Sequence, residues 1–241
     1  MLLGRDENTD MDPDAKIHAA RASLKYLSPD ITLGLGSGST AHAFVRLLAA
    51  EVSYYTSFKC ICTSSATETL AKSLGLRVID ANEIDGVDLT IDGADEVDER
   101  LNMIKGGGGA MLRERIVAAM SKNHITIVDS TKVSNTLGRF PLPIEVAPYA
   151  HTVTTPWILE SIRDAGCRVE RHILRTTELG QPYVTDNGNH ILDVKIAEIR
   201  DPSWLSDHLY RVSGMIAHGL FVNLTKLIIV ADDKGSVREL R

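Results

Sequence analysis

A glycine-rich turn between a predicted strand and a predicted helix is the feature that most constrains the fold of this chain. A helix is predicted over residues 14–27; ITLGLGSGST then reads as a short strand entering a turn, and AHAFVRLLAAEV follows with helical spacing. Further segments typical of strands are FKCICTSS, LRVID, VDLTID and HITIVDS, and those typical of helices are TETLAKSLG and AMLRERIVAAM. Strands that alternate with helices of this length predict an α/β fold with a doubly wound, mostly parallel sheet.

The chain changes character near residue 141, where three prolines within eight residues predict a stiff, extended link. Beyond it we expect a helix over residues 156–165, the strands CRVERHIL, YVTD and HILDVKIAEI, and a helix over residues 202–212. Asn187-Gly188 lies between the last two strands and predicts a hairpin. LFVNLTKLIIVADD could return apolar strands to the first sheet. We therefore predict an α/β domain from residues 1–140 together with residues 214–241, and a smaller inserted α+β domain at residues 141–213.

Composition excludes several classes of protein. The 241 residues are 44% hydrophobic and 24% charged, with a formal net charge of −6, so the general basic footprint of a nucleic-acid-binding protein is absent. The acidic N-terminus lacks the apolar core of a signal peptide, and no stretch approaches the ~20 apolar residues of a membrane span. Three cysteines are an odd set, which favours reduced thiols and a cytoplasmic protein. Cys60 and Cys62 could form half of a metal site, but a buried strand is the simpler interpretation.

The turn GLGSGST has the properties of a phosphate-binding loop. Glycines allow close backbone approach, and the following helix N-terminus presents free amides. A P-loop would need a lysine before the helix, and none is present. The dinucleotide fingerprint fits in part, as Gly36-x-Gly38-x-x-Ala41, but the next strand ends in CTSS without the carboxylate that holds a ribose. The alternative that this turn has only a structural role, without binding a ligand, also remains at this point.

Two acidic residues follow a predicted strand in VDLTIDGADEVDE. Asp92 lies where a parallel strand would end, and Asp95 follows a tight turn, so both carboxylates can face one crevice. Paired acids in a crevice can divide acid and base roles. The alternatives are a turn or N-cap role, and a calcium loop, which the three-residue spacing of Asp92, Asp95 and Asp98 fits poorly.

Four successive glycines, residues 106–109, precede the next predicted helix. Each glycine costs ~1 kcal/mol inside a helix, so the run is better explained as an amide nest or oxyanion hole, with Lys105 at its mouth. Glu114 lies about one turn into the helix and could reach back toward the loop. The alternative is a solvated helix carboxylate between Arg113 and Arg115. The eight histidines form no metal-binding pair, and no Gly-x-Ser-x-Gly elbow is present.

GLGSGST, DGADEVD, KGGGGAMLRER, LGRFPLPIEV and TDNGNHILDV occur in that order, and together they resemble ribose-5-phosphate isomerase of the A type. The resemblance extends from about Lys16 to the C-terminus. It implies a Rossmann-like domain with a smaller α+β domain, and interconversion of ribose 5-phosphate and ribulose 5-phosphate in the non-oxidative pentose phosphate pathway. It also implies that no metal or organic cofactor is used, and that the protein is a homodimer or homotetramer.

The resemblance also implies roles for individual residues. Glu114 matches the family's general base, and Asp92, Asp95 and Lys105 match its other catalytic residues. The positions that match substrate-binding residues are Lys16, Ser37, Gly38, Ser39, Thr40, Gly93, Ala94, Gly106, Gly107, Gly108 and Lys132. Ser37 stands where many members have threonine, Gly109 stands where some have alanine, and SGMIAHGLF is looser than the family segment. None of these departures removes a catalytic group.

Two other functions remain open on the sequence. A sugar-phosphate-sensing module of the same fold would bind without catalysis, although such regulators usually carry a helix-turn-helix that the first dozen residues are too few to supply. An NAD-dependent oxidoreductase is weakened by the missing ribose carboxylate.

Overall fold

The computed structural model of the protein describes residues 14–241, so the expectations for the first dozen residues lie outside the described residues. Its helices are α1 Asp14–Ser23, α2 Ser39–Glu51, α3 Ser65–Ser73, α4 Met111–Met120, α5 His151–Asp164 and α6 Pro202–Leu209. Its strands are β1 Thr32–Leu35, β2 Lys59–Cys62, β3 Val87–Asp92, β4 Glu96–Val97, β5 Met103–Ile104, β6 Ser121–Asp129, β7 Leu142–Val146, β8 Val169–Leu174, β9 His190–Ile196, β10 Met215–His218, β11 Leu220–Phe221, β12 Leu227–Ala231 and β13 Val237–Leu240.

The main sheet has six strands in the order β13-β12-β6-β3-β1-β2. Five of them are parallel, and β13 joins the edge antiparallel to β12. This arrangement confirms the predicted mostly parallel α/β sheet and the return of the C-terminal strands to it. Because the chain crosses over between neighbouring parallel strands, their carboxyl ends and the loops that follow them meet at one edge.

Helices cover both faces of the main sheet. On one face, Ala20 of α1 and Phe44 of α2 pack with Leu33 of β1 and Ile91 of β3 in the largest buried cluster. On the other face, Val117 of α4 packs against β2. Strands that are buried on both faces need apolar side chains at nearly every position, which explains the continuous apolar runs in the sequence.

The second sheet is antiparallel, with four strands in the order β10-β7-β9-β8. Ile158 and Ile162 of α5 and Leu205 of α6 pack with its strands in a separate core. Residues 215–218 pair with β7 and so belong to this sheet, while the division of the chain at residue 213 stays a prediction. A third small sheet has the order β11-β5-β4, and its strand β11 lies in the connection from β10 of the second sheet to β12 of the main sheet.

Some local predictions were wrong. LRVID forms one isolated bridge, between Cys60 and Val78, and YVTD forms no strand. The predicted Asn-Gly hairpin is absent because β8 pairs directly with β9, and residues 175–189 form a long connection between them. The buried Glu145 carboxylate accepts hydrogen bonds from Thr185, Asn187 and Asn189, so the turn-forming residues fold the connection onto β7 instead.

Several helix bounds also differ from the prediction. Helix α1 ends at Ser23 and continues as a short 3-10 turn, α5 begins at His151 with Pro156 inside it, and α6 ends at Leu209. Within residues 14–241, no helix combines the length and apolar character needed to cross a membrane.

The expected core packing of the Cys-x-Cys pair is confirmed. Cys60 is fully buried in the main core, and Cys62 packs against that core half-buried. Burial raises the pKa of both thiols to about 12. Both side chains are therefore protonated at neutral pH and act as small apolar groups.

Candidate active site

The residues singled out in the sequence meet around one cavity at the carboxyl edge of the main sheet. Strands β1 and β3 are neighbours, so the loops that follow them lie side by side, and the β5–α4 loop closes the cavity. The residues that line it are Lys16, Ser37, Gly38, Ser39, Thr40, Gly93, Ala94, Asp95, Lys105, Gly106, Gly108, Glu114 and Lys132. Of the predicted site residues, only Asp92 and Gly107 do not line it.

Asp92 lies beneath the cavity and joins two of its loops. The carboxylate is fully buried, and its Oδ1 accepts the backbone N–H groups of Ser37 at 3.0 Å and Gly93 at 2.7 Å. A Cβ at position 36 would lie 2.0 Å from Asp92 Oδ1, so only glycine allows this approach. The glycine of the β1 turn is therefore required by the carboxylate of the neighbouring strand.

Lys105 is a buried cation in the wall of the cavity. Its Nζ lies 2.9 Å from Asp92 Oδ2 and 3.3 Å from Glu114 Oε1, and it also donates to the Gly93 carbonyl. Burial lowers the pKa of Lys105, but the carboxylates of Asp92 and Glu114 outweigh that effect, and the net direction is upward. The ammonium therefore stays charged throughout the neutral range.

Glu114 is not the solvated helix carboxylate that its neighbours suggested. It lies in the first turn of α4, and the residue is only 5% exposed. Burial raises the pKa of Glu114 to about 8, against the opposing charge of Lys105. Its Oε2 atom has no hydrogen-bond partner within residues 14–241. One carboxylate oxygen is thus held by Lys105, and the other is unengaged beside the cavity.

The two arginines that flank Glu114 fasten α4 to other parts of the chain. Arg113 Nε donates to Asn187 Oδ1 at 3.1 Å. Arg115 Nη2 donates to the carbonyls of His218 at 2.8 Å and Leu220 at 2.7 Å. Because both guanidinium groups bind outside the cavity, the intervening carboxylate is directed into the interior.

The glycine run presents two unengaged backbone amides. Gly107 donates its N–H to Asp95 Oδ2 at 2.7 Å, which explains why it does not line the cavity. The amides of Gly106 and Gly108 have no acceptor within residues 14–241, and both residues line the cavity. The available amides of the predicted nest are therefore those of Gly106 and Gly108.

The other end of the cavity carries positive charge and a helix N-terminus. Gly38, at φ +85°, precedes α2, and no side chain of residues 14–241 caps that helix. Lys16 Nζ donates to Ser39 Oγ at 2.8 Å, and Lys132 follows β6 in a short 3-10 turn. Ser37 also lines the cavity, and its Oγ lies 2.6 Å from Thr63 Oγ1. Free helix amides and two lysines together suit a phosphate.

Sequence analysis missed residues that support the site from distant segments. Phe221 is fully buried, and its ring centre lies 5.7 Å from Lys105 Nζ and 4.3 Å from the Arg115 guanidinium carbon. The Gly219 carbonyl accepts the Lys105 backbone N–H at 2.8 Å. Both belong to SGMIAHGLF, a segment in which the resemblance to the family is looser, and an apolar ring carries no chemical signal that would have singled it out.

Comparisons with known proteins show the family to which this chain belongs. The family model described as ribose 5-phosphate isomerase A (phosphoriboisomerase A) matches residues 59–235. The ribose-5-phosphate isomerase A of Parvibaculum lavamentivorans is 42% identical over 92% of this chain and 96% of its own length, and that of Agrobacterium fabrum is 43% identical over 92% and 95%.

Solved structures are similar over almost the whole chain. Ribose 5-phosphate isomerase from Plasmodium falciparum superposes with a TM-score of 0.88 at 33% identity, covering 96% of this chain and 99% of that one. A D-ribose-5-phosphate isomerase in complex with phospho-erythronic acid gives 0.86 at 32% identity, covering 95% and 98%. With these matches, the chain belongs to the ribose-5-phosphate isomerase A family.

Proposed function

We propose that this protein interconverts D-ribose 5-phosphate and D-ribulose 5-phosphate, with Glu114 moving a proton between C2 and C1 of the sugar. The observation that carries the proposal is the buried Glu114 carboxylate, whose Oε2 atom is unengaged beside the cavity while Oε1 lies 3.3 Å from Lys105. Membership of the isomerase family supports the same reaction.

The reaction needs a base that can also return the proton. Glu114 takes the proton from C2 of the open-chain aldose, and the electrons form an enediolate with its negative charge on O1. The protonated carboxyl then gives its proton to C1 while the O2 hydroxyl proton passes to O1, which leaves the C2 carbonyl of the ketose. Because burial raises the pKa of Glu114 to about 8, its basicity is well above that of an exposed carboxylate. General base catalysis by such a group typically contributes ~10²–10⁴-fold.

The enediolate carries negative charge that the site is arranged to stabilise. The Lys105 ammonium and the amides of Gly106 and Gly108 are donors fixed in place before the charge develops, which is the most effective form of electrostatic stabilisation. Asp95 lines the cavity and holds sugar hydroxyls. Asp92 does not line it, so its part in opening the furanose ring runs through Lys105, 2.9 Å away.

The phosphate binds at the opposite end. The uncapped N-terminus of α2 offers the amides that follow Gly38, and Lys16 and Lys132 supply charge. Binding energy from this remote group orients the sugar carbons over Glu114. A net charge of −6 is compatible with an anionic substrate because these local groups determine the field in the cavity.

A purely sensory role is less well supported. A module that only binds sugar phosphates has no need of a buried carboxylate with an unengaged oxygen beside a buried ammonium. The proposal also includes a cytoplasmic homodimer or homotetramer.

The direct test is a coupled assay of the purified protein with ribose 5-phosphate, run in D₂O and after exhaustive chelation. The proposal requires turnover that survives chelation, with solvent deuterium incorporated at C1 of ribulose 5-phosphate. A product without deuterium, together with unimpaired turnover in Glu114→Gln, would indicate a hydride shift and overturn the role of Glu114. Activity that is lost on chelation and restored by metal would overturn the cofactor-independent mechanism.

A further inference from the structure

An ion pair in the second sheet reaches the glycine loop of the active site. Arg175 directly follows β8, and Asp193 lies in β9. Arg175 Nε lies 2.8 Å from Asp193 Oδ2, and Nη2 lies 2.6 Å from Oδ1, so the two planar groups bind in parallel. Each side chain is only 16% exposed. Such a two-point pair fixes the orientation of the guanidinium as well as its position.

The third nitrogen of the guanidinium binds the loop. Arg175 Nη1 donates to the Gly106 carbonyl at 3.1 Å and to the Gly107 carbonyl at 3.0 Å. Tyr183, whose ring centre is 5.7 Å from the Arg175 guanidinium carbon, donates its hydroxyl to the Gly108 carbonyl at 3.3 Å. Three successive carbonyls of the glycine run are therefore held by side chains that follow β8.

Because the peptide group is planar, a contact that holds a carbonyl also fixes the direction of the N–H of the next residue. In a trans peptide, the C=O of one residue and the N–H of the next point in opposite directions. Holding the Gly106 carbonyl turns the Gly107 N–H toward Asp95, where it donates at 2.7 Å. Holding the Gly107 carbonyl turns the Gly108 N–H away from Arg175, and Gly108 is one of the residues that line the cavity.

We infer that Arg175, fixed by Asp193, is a positioning residue that orients the Gly108 amide toward the developing enediolate. The inference rests on the proposed isomerase function and adds a residue from the second sheet to it. Four glycines in a row have no side chains to restrict their backbone, so without an external anchor the loop would sample many orientations. A preorganised donor stabilises the transition state without reorganisation, and loss of one such donor typically lowers kcat by ~10²–10³.

The test compares Arg175→Met and Arg175→Lys with the wild type. Arg175→Lys keeps the positive charge but lacks the planar fork that spans Asp193 and two carbonyls. We expect kcat to fall about 10- to 100-fold in both variants, with KM for ribose 5-phosphate changed less than about threefold. Binding of phospho-erythronic acid, whose planar carboxylate resembles the enediolate, should weaken in parallel with kcat.

Arg168→Met is the matched control. Arg168 forms an ion pair with Glu170 near the start of β8, but its side chain is 76% exposed, and that pair makes no contact with the glycine loop. We expect wild-type kinetics and an unchanged melting temperature. If Arg175→Met does not fold, Asp193→Asn replaces it; this variant keeps the shape of the side chain that fixes Arg175 but removes its charge, and should lower kcat by about two- to fivefold.

The outcomes separate the inference from the proposed function. Unchanged kcat in folded Arg175→Lys and Arg175→Met, or in Asp193→Asn where the arginine variants do not fold, would overturn the positioning role while leaving the isomerase intact. A wild-type kcat in Arg175→Lys together with a loss in Arg175→Met would also overturn it, because charge alone would then be sufficient. A wild-type protein without isomerase activity would instead refute the proposed function.

Discussion

Glu114 Oε1 lies 3.3 Å from the Lys105 ammonium, while Oε2 of the same carboxylate has no partner within residues 14–241. This division gives the two oxygens different roles. The bound oxygen fixes the orientation of the carboxylate, and the free oxygen is available to a carbon-bound proton. The relationship depends on burial, since an exposed carboxylate would have both oxygens hydrated.

The first prediction concerns the base itself. Glu114→Gln keeps the shape of the side chain but cannot accept a proton, so we expect kcat to fall at least ~10²-fold with binding and folding retained. Steady-state kinetics, titration with phospho-erythronic acid and a thermal melt provide the three measurements. Glu160→Gln, on the exposed face of α5, serves as the control and should behave as wild type. Near wild-type turnover in Glu114→Gln would remove this residue from the mechanism.

The second prediction concerns the pH dependence of activity. Because the pKa of Glu114 is raised to about 8, the carboxyl is protonated below that pH and cannot act as a base. We expect kcat/KM to rise with pH through about 8, well above the range in which the substrate phosphate ionises. Asp95→Asn removes a negative charge that raises this pKa, so the acidic limb should move to lower pH. If the acidic limb of the pH profile moves to higher pH in Asp95→Asn, the assignment of this limb to Glu114 is wrong.

The third prediction concerns stability. The pKa of Glu114 rises from 4.5 in the unfolded chain to about 8 in the folded protein, so between these values the folded state binds more protons. The contribution of Glu114 to the free energy of unfolding therefore decreases as pH rises from about 4.5 to about 8. Urea denaturation at several pH values should show Glu114→Gln gaining stability relative to wild type across that window. If the difference in the free energy of unfolding between Glu114→Gln and the wild type does not change with pH, the pKa of Glu114 is not raised.

The fourth prediction concerns the buried cation. Lys105→Met leaves the fully buried Asp92 carboxylate without its ammonium partner, and breaking a buried pair from one side typically costs about 3–5 kcal/mol. We expect the free energy of unfolding, measured by urea denaturation, to fall by that amount, and we expect turnover to be lost. Lys122→Met, which breaks an exposed pair with Asp88, is the control and should change stability far less. Equal effects of the two variants would contradict the structural role of Lys105.

The fifth prediction concerns the phosphate end of the cavity. Lys16→Met and Lys132→Met remove charges that bind the remote phosphate, so we expect a higher KM for ribose 5-phosphate and weaker competitive inhibition by inorganic phosphate. Lys59→Met, at an exposed position of β2, should leave both values unchanged. If both cavity variants retain the wild-type inhibition constant for phosphate, the phosphate binds elsewhere.

The parallel sheet was predictable because its signals are local. Apolar runs such as LIIVA and the glycine turn before α2 show their structure within a few residues. The Asn187-Gly188 prediction failed because a distant carboxylate, Glu145, binds the surrounding side chains and so determines the path of the connection. Whether Glu114 is buried or solvated was ambiguous for a similar reason. Its burial depends on the carbonyls of His218 and Leu220, which accept hydrogen bonds from the neighbouring Arg115.

By itself, the sequence determined the strand–helix order, the glycine turns and the identities of the acids and lysines around the cavity. Those features follow from backbone preference and side-chain chemistry, which act over short distances along the chain. Only the tertiary structure decided which carboxylate oxygen is free, which glycine amides are available and that Arg175 holds the loop between them. Such properties depend on desolvation and on hydrogen bonds between residues far apart in sequence, and these exist only once the chain has packed.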